Sequence, residues 1–311
     1  MNKNTELFTN DIIIDTFGTK WKVGPLIGFG GFGCIYYADT NINYDFSKNI
    51  NNVKYVIKIE PKDSGPLFVE QVFYQRVCKP QIINKWISYN KVCYLGVPRC
   101  YGFGFYNKNN RQYRFIVIDC FGCDLFTILQ YNNFKLPITT VLRIGIRILN
   151  VLKFLHEHGY AHADIKAANI VLDKDDKNKI YLIDYGLSYR FMINNIHVAC
   201  KQNPKKLHNG TLEFTSLDAH HGVSPSRRGD LEILGYCMIN WCGGILPWFN
   251  IKKANLVKDL KLNFMKDIVS NMNKIFNNNA PIELVNYMLY IRELEYESNP
   301  DYIFLKNILK S

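Results

Sequence analysis

The residues best suited to chemistry lie in one stretch, His162-Ala-Asp-Ile-Lys-Ala-Ala-Asn169, followed fifteen residues later by Asp184-Tyr-Gly186. Two carboxylates, an ammonium and an amide at this spacing suit phosphoryl transfer. Asp164 would accept the proton of an attacking hydroxyl, Lys166 would offset charge on the transferred group, and Asn169 with Asp184 would hold magnesium between phosphates. Asp and Asn taken singly are common in loops for turn reasons. The ordered set carries the reading. His162 is read as a buried brace for the loop, not as an acid or base.

Such a set needs a framework that delivers phosphates to it. Lys-Val-Gly-Pro-Leu-Ile27 alternates like a strand, Gly28-Phe-Gly-Gly-Phe-Gly33 follows, and Cys34 to Ala38 resumes the apolar run. In a dinucleotide-binding turn the same glycine spacing opens a helix. Here β-branched and aromatic residues follow. Ile27, Gly28, Gly30, Gly31, Gly33 and Ile35 are therefore read as a flap over nucleotide phosphates, with Ile35 above the base. Asp39 to Lys54 is Asn-rich and without periodicity, and is read as an exposed loop. Tyr55-Val-Ile-Lys58-Ile then sets a lysine inside an apolar strand, a costly burial unless paired. Either the strand is an edge with its ammonium in water, or Lys58 pairs with Glu70. That residue falls on a helix starting near Pro66, with Phe68, Val72, Phe73 and Val77 at helical spacing. The pair would fix the α- and β-phosphates.

Residues 80 to 92 read as a short helix, and Gly96 to Tyr106 with Gln112 to Ile118 as two further strands. Ile118-Asp-Cys-Phe121-Gly122 reads as a link between lobes, with backbone groups near Asp119 and Phe121 set to bind adenine. Ile138 to His158 is the clearest amphipathic helix, with Val141, Ile144, Ile148, Val151, Leu152 and Leu155 on one face. His156 and His158, at its end before Gly159, are expected at the surface. Val171, in the strand Ile170-Val-Leu172, would lie beneath adenine, and a turn over 173–178 with the strand Ile180 to Ile183 delivers Asp184. Downstream, Thr211 is expected to bond both Asp164 and Lys166. Lys201, Lys205 and Lys206 either select acidic or phosphorylated substrates or form a solvated loop. Asp230, near the start of a buried helix, is expected to accept backbone hydrogen bonds from the 162–169 loop. Pro281 and Asn299-Pro-Asp-Tyr302 start later helices.

The 311 residues suffice for one large domain or two lobes, and 48% hydrophobic with 21% charged residues is a globular composition. A net charge of +11 points either to acidic partners or to the Asn-, Lys-, Ile- and Tyr-rich bias of A/T-rich coding sequence. The chain shows no helix-turn-helix, zinc or aromatic RNA-binding motif, so specific nucleic-acid binding is not expected. The nine cysteines lack matched zinc-ligand pairs; Cys120 with Cys123 and Cys237 with Cys242 are read as buried, reduced thiols of a cytosolic or nuclear protein. Met-Asn-Lys-Asn opens without an apolar signal region, and Asn2 stands where myristoylation needs glycine. The triplet Asn209-Gly-Thr211 is accordingly not read as a glycosylation site. Glu232, Asn240, glycines and Pro247 interrupt the apolar run Leu231 to Phe249, which suits a helix buried in protein, not a membrane span.

Gly28-Phe-Gly-Gly-Phe-Gly33, Val-Ile-Lys58-Ile-Glu-Pro-Lys62, Asp164-Ile-Lys-Ala-Ala-Asn169, Asp184-Tyr-Gly186, Gly210-Thr-Leu-Glu-Phe-Thr-Ser-Leu-Asp218 and Ser226-Arg-Arg-Gly-Asp-Leu-Glu232 resemble the motifs of protein kinases. Within that family they are most similar to the vaccinia-related kinase branch of the casein kinase I group, and to its poxvirus-encoded members, from about Trp21 to the C-terminus. The resemblance implies an α+β, bilobal protein kinase fold in a single domain, 1–311. An N-lobe antiparallel sheet plus helix C would span about 15–119, a hinge about 119–122, and a mostly helical C-lobe about 123–311. It implies a non-specific serine/threonine protein kinase that uses ATP and Mg2+ to phosphorylate viral and host proteins in the infected-cell cytoplasm. Small DNA-bridging or chromatin-associated proteins and viral replication proteins are the implied substrates, and a monomer is the implied state. Ala163 replaces the usual Arg, Tyr185 the usual Phe, and Ser216-Leu-Asp218 the common Ala-Pro-Glu. With no Arg beside Asp164 to take a phosphorylated activation loop, activity without that phosphorylation is expected. Two rivals stand beside this reading. A pseudokinase scaffold would bind nucleotide without transfer, but Lys58, Glu70, Asp164, Asn169 and Asp184 are all intact. A small-molecule phosphotransferase is disfavoured by the Gly210–Asp218 segment and the Asp230 helix.

Overall fold

The β-branched and aromatic runs of the N-terminal third form one six-stranded antiparallel sheet in a computed structural model that describes residues 7–30, 33–203, 207–208 and 210–310. Asn2, Gly31 of the glycine flap, Lys205, Lys206 and Asn209 lie outside the described residues. In chain order the strands are β1 (Ile12–Ile14), β2 (Lys20–Phe29), β3 (Cys34–Asp39), β4 (Tyr55–Pro61), β5 (Cys100–Lys108) and β6 (Arg111–Asp119), arranged β1-β2-β3-β4-β6-β5. Period-two alternation turns Trp21 with Val23, Ile57 with Ile59, and Phe115 with Val117 into one buried cluster. β4 lies between β3 and β6, with Lys58 opposite Ile35 and Ile116. The edge-strand reading of Lys58 therefore fails.

Three local expectations change here. The insertion is not loop throughout: it holds a one-turn helix, α1 (Phe46–Asn49), whose first turn is capped by Asp45 accepting from Ser47 N at 3.1 Å. Phe46 is buried against Gly24, where a Cβ would stand 2.7 Å from its ring. The strand expected from Gly96 begins only at Cys100. Pro98 has no N–H to pair, Arg99 N goes to the Asp119 carboxylate at 2.8 Å, and the Gly96 carbonyl accepts from Leu182 N. Helix α2 (Pro66–Val77) does start at its proline, but it buries Leu67, Glu70, Phe73, Tyr74 and Val77 and leaves Phe68 51% exposed. Phe68 instead offers its ring to the Arg114 guanidinium, 4.9 Å from the centroid. Helix α3 (Pro80–Asn90) follows.

The chain divides into two compact units. The first runs to Lys91 and takes in Val97–Gly122 and Asp184–Gly186; the second holds Val92–Gly96, Cys123–Ile183 and the residues from Leu187 on. The second is mostly helical: α4 (Leu125–Tyr131), α5 (Ile138–Glu157), α6 (Leu217–His220), α7 (Arg227–Trp241), α8 (Ala254–Lys266), α9 (Ile268–Ile275), α10 (Ile282–Arg292) and α11 (Tyr302–Ile308). Short strand pairs, Ile170–Leu172 with Ile180–Leu182 and Tyr160–Ala161 with Tyr189–Arg190, flank the 162–169 loop. All six apolar residues read onto one face of α5 are buried, each worth about 1.5–3 kcal/mol relative to exposure. α5 packs on α7, which is buried nearly all round and ends at Trp241 before Gly243 at φ +85°. Among the described residues no helix is long and apolar enough to cross a membrane.

His156 is buried, 2% exposed, contrary to the surface position expected for it. It stands one turn beyond Leu152 on the packed face, and its ring bonds Asp230 and the Tyr302 hydroxyl. All nine cysteines are unbridged; Cys237 and Cys242 are buried, but Cys123 is exposed and Cys120 half-buried. The C-x-x-C is thus not the buried pair expected, because it lies where the chain passes between β6 and α4 and not within a packed element.

Candidate functional site

The site residues assemble as two separate groups, one in each unit. In the first, Lys58 projects from the central strand and its Nζ donates to Glu70 Oε2 at 2.7 Å, with Asp184 Oδ1 at 3.6 Å. Burial alone would pull this amine down, yet the charges of Glu70 and Asp184 carry it above its usual value. Burial pushes the Glu70 carboxyl up, with Lys58 opposing. The two shifts favour opposite protonation states of the pair. It is an ion pair: a neutral carboxyl would forgo a 2.7 Å charge-assisted bond and leave the amine buried beside Asp184 alone. Tyr185, in place of the usual Phe, stacks on Phe73 with ring centroids 4.1 Å apart and so ties the Asp184 triplet to the helix that carries Glu70.

The described flap residues lie at the end of the β2–β3 pair, where Gly28 pairs with Ile35 and Phe29 with Cys34. Ile27 is exposed and Gly28 has open space where a Cβ would stand. Gly33 is required for a different reason: its Cβ would fall 2.3 Å from the Ile59 carbonyl oxygen. Asp119 closes β6, its carboxylate accepting from Arg99 N and the Tyr101 hydroxyl, and Phe121 follows half-buried.

In the second unit, Asp164 is the hub. Lys166 Nζ donates to Asp164 Oδ2 at 2.6 Å, Thr211 donates its hydroxyl to Oδ1 at 2.8 Å, and Lys166 also reaches the Thr211 hydroxyl at 3.2 Å. Asn169 Nδ2 donates to the Asp164 carbonyl at 2.8 Å. That assignment leaves Asn169 its amide oxygen as a ligand atom, suited to a hard cation such as magnesium. Asp184, in the first unit, offers a carboxylate whose side chain is 48% exposed. Among the described residues there is no group of three or more His, Cys, Asp or Glu that could hold a metal ion. Val171 is buried in its strand, opposite Tyr181.

The loop that presents Asp164 is held from behind. Asp230 accepts from His162 N at 2.7 Å, Ala163 N at 2.8 Å and His156 Nε2 at 2.9 Å, while His162 is fully buried. Ala163 and Asp184 both sit at positive φ, 68° and 66°, a left-handed conformation that L-residues adopt at a cost and that surrounding bonds must enforce. Sequence reasoning missed four supports. Arg228 makes two hydrogen bonds to the Asp218 carboxylate, and Glu232, Trp248 and Lys261 surround the segment after Thr211. A local signal existed for Lys261, since Val257, Lys261 and Phe264 share the buried face of α8.

A protein kinase domain model matches residues 21–308. The B1 kinase of Monkeypox virus is 47% identical over 305 residues, covering 97% of this chain and 96% of that protein. Human serine/threonine-protein kinase VRK2 is 43% identical over 301 residues, 96% of this chain and 58% of that protein. Among solved structures, vaccinia related kinase 3 superposes with a TM-score of 0.85 at 33% identity, covering 97% of this chain and 90% of that one. The paired lysine and the Asp164 hub thus stand in a chain that belongs to the protein kinase family, in its vaccinia-related branch with poxvirus-encoded relatives, and is a serine/threonine protein kinase.

Proposed function

We propose that the chain uses ATP and magnesium, as a protein kinase domain implies, to phosphorylate Ser and Thr hydroxyls of viral and host proteins in the cytoplasm of an infected cell. The observation that carries this reading is the Lys58 amine held by Glu70 with Asp184 beside it, an arrangement with a use once phosphates arrive. Bound ATP with magnesium would supply an electrophilic γ-phosphorus, whose bond to the β–γ bridging oxygen breaks as the hydroxyl oxygen bonds to it, ADP leaving with the electron pair. Asp164 takes the proton of the attacking hydroxyl, while Thr211 and Lys166 fix the rotation of its carboxylate and Lys166 offsets charge on the transferred group. Asn169 and Asp184 hold the metal, and Lys58 holds the α- and β-phosphates. Ile27, Gly28, Gly30, Gly31, Gly33 and Ile35 cover the nucleotide. Val171 and the backbone near Asp119 and Phe121 take adenine. On this reading residues 1–311 are one kinase domain, active as a monomer, with small DNA-bridging or chromatin-associated proteins and viral replication proteins among its substrates.

The test is transfer of label from radiolabelled ATP to one basic and one acidic protein by wild type and Asp164→Asn, with ATP binding measured alongside. Asp164→Asn should lower kcat by orders of magnitude and spare ATP affinity. Equal labelling by the variant would remove Asp164 from the mechanism. Wild type that binds ATP yet labels neither protein would hand the chain to the scaffold reading.

A further inference from the structure

An ammonium occupies a core position on α8. Lys261 is fully buried, 0% exposed, between Val257 and Phe264 on the helix face. Its Nζ donates to the carbonyls of Leu212 at 3.0 Å and Thr215 at 2.5 Å, and lies 3.3 Å from His220 Nε2. The rings of Tyr236 and Trp248 face it, with centroids 5.2 Å and 5.5 Å away. Trp248 adds a bond of its own, from Nε1 to the Glu213 carbonyl at 2.7 Å. Three carbonyls of a four-residue stretch are thereby captured by side chains from outside it.

The amides of the same stretch turn the other way. Phe214 N and Thr215 N both donate to the Thr211 carbonyl, at 2.9 Å and 2.8 Å, while Thr211 itself bonds Asp164 through hydroxyl and amide. With its backbone fixed on both sides, the turn leaves Leu212, Glu213 and Phe214 half-buried, available to a polypeptide near Asp164. The latch also reaches back along the chain. Because the ammonium can only donate, His220 Nε2 is an acceptor, so His220 Nδ1 carries the proton and donates it to His208 Nδ1 at 2.8 Å.

We propose that Lys261, together with Trp248, is a positioning residue for the protein substrate: it locks the 211–215 turn so that Thr211 stays on Asp164 and the turn's side chains meet the polypeptide around the target hydroxyl. This rests on the kinase reading of Asp164. Lys261 touches neither nucleotide nor hydroxyl and acts through the turn alone.

Three full-length proteins decide it: wild type, Lys261→Met, which keeps the length of the stem without its donors, and Trp248→Phe, which keeps a ring without its N–H. Kinetics with a protein substrate, ATP affinity and amide hydrogen exchange are read on each. In Lys261→Met, KM for the protein should rise about tenfold with ATP affinity unchanged within about twofold, and exchange over 211–220 should quicken while α5 and α7 stay protected. Trp248→Phe should move the same readouts in the same direction by about threefold. Wild-type KM and wild-type exchange in either folded variant overturns the proposal, as does a parallel loss of ATP affinity. If Lys261→Met does not fold, Trp248→Phe alone decides by the same criteria. A wild type without transferase activity is a failure of the kinase reading instead, and is told apart by the exchange measurement, which needs no substrate.

Discussion

Two lysines interrupt apolar patterns in this chain, Lys58 on β4 and Lys261 on α8, and their surroundings could hardly differ more. Lys58 keeps 14% of its side chain exposed and is matched by charge: one bond to Glu70 and a second carboxylate at 3.6 Å, beyond hydrogen-bond length. Lys261 is wholly inside and spends its three ammonium protons on two carbonyls and an imidazole nitrogen. Their acidities diverge accordingly. The neighbouring carboxylates outweigh burial at Lys58 and hold its amine above the usual value. At Lys261 burial wins and pushes the amine down to about 7, with Glu232 opposing, while burial raises the Glu232 carboxyl to about 7. The acceptors and ring faces around Lys261 all suit an ammonium, and on that ground it is held protonated in neutral solution. What separates the two is donor capacity: Lys58 retains some for an arriving phosphate, whereas Lys261 is used up holding the fold.

The largest expected effect follows from that capacity. Lys58→Met should lower kcat/KM for protein phosphorylation on the order of 10³-fold, a larger effect than its cost in melting temperature, because Glu70 left without its partner can take up a proton. Steady-state kinetics beside a thermal melt read both quantities. Activity near wild type would erase the distinction, because it would make Lys58 as structural as Lys261. Lys261→Met should combine the smaller, KM-borne loss of activity with a loss of stability, since its unpaired carbonyls should destabilise the fold by about 2 kcal/mol in urea unfolding. A loss of activity without a loss of stability would put both lysines in the same class.

The two positions also differ in how far the sequence disclosed them. Lys58 stood out because it interrupted an apolar run and a helix starting at Pro66 supplied Glu70 at short range. That β4 is a central strand was not visible, because strand order is set by pairings with the distant β6. Thr211 and Asp230 were legible from motif spacing, and the structure gives them the hydrogen bonds that spacing implied. Lys261 left only a broken apolar stripe as a local clue, since the carbonyls it holds lie 46 and 49 residues away. His156 departs from its expected surface position because helix-end electrostatics, a weak local effect, is outweighed by the packed face that joins it to Tyr302, 146 residues on. Phe46 could not be distinguished from other residues of an Asn-rich loop until Gly24 was seen to leave room for its ring.

The smallest expected effect tests the imidazole end of the Lys261 network. Burial, and then the positive charge of Lys261, push His220 down to about 3, with His208, His221 and Lys258 also opposing a proton there. His208 is lowered as well, chiefly by desolvation with Lys258 and Lys261 adding to it. The unfolded chain binds a proton at each histidine near 6.5, and folded His220 does not until about 3. Stability is therefore full above 6.5 and is lost as pH falls through that window, at up to about 1.4 kcal/mol per pH unit for each proton excluded. No comparable loss arises at Lys58, whose raised value keeps it protonated throughout. Urea unfolding at pH 7.5, 6.5 and 5.5 should show wild type declining and His220→Gln declining less, by about 1 kcal/mol at the lowest pH. A His220→Gln slope as steep as that of wild type would mean that the acid sensitivity lies elsewhere, with buried His156, also lowered by desolvation, the first place to look.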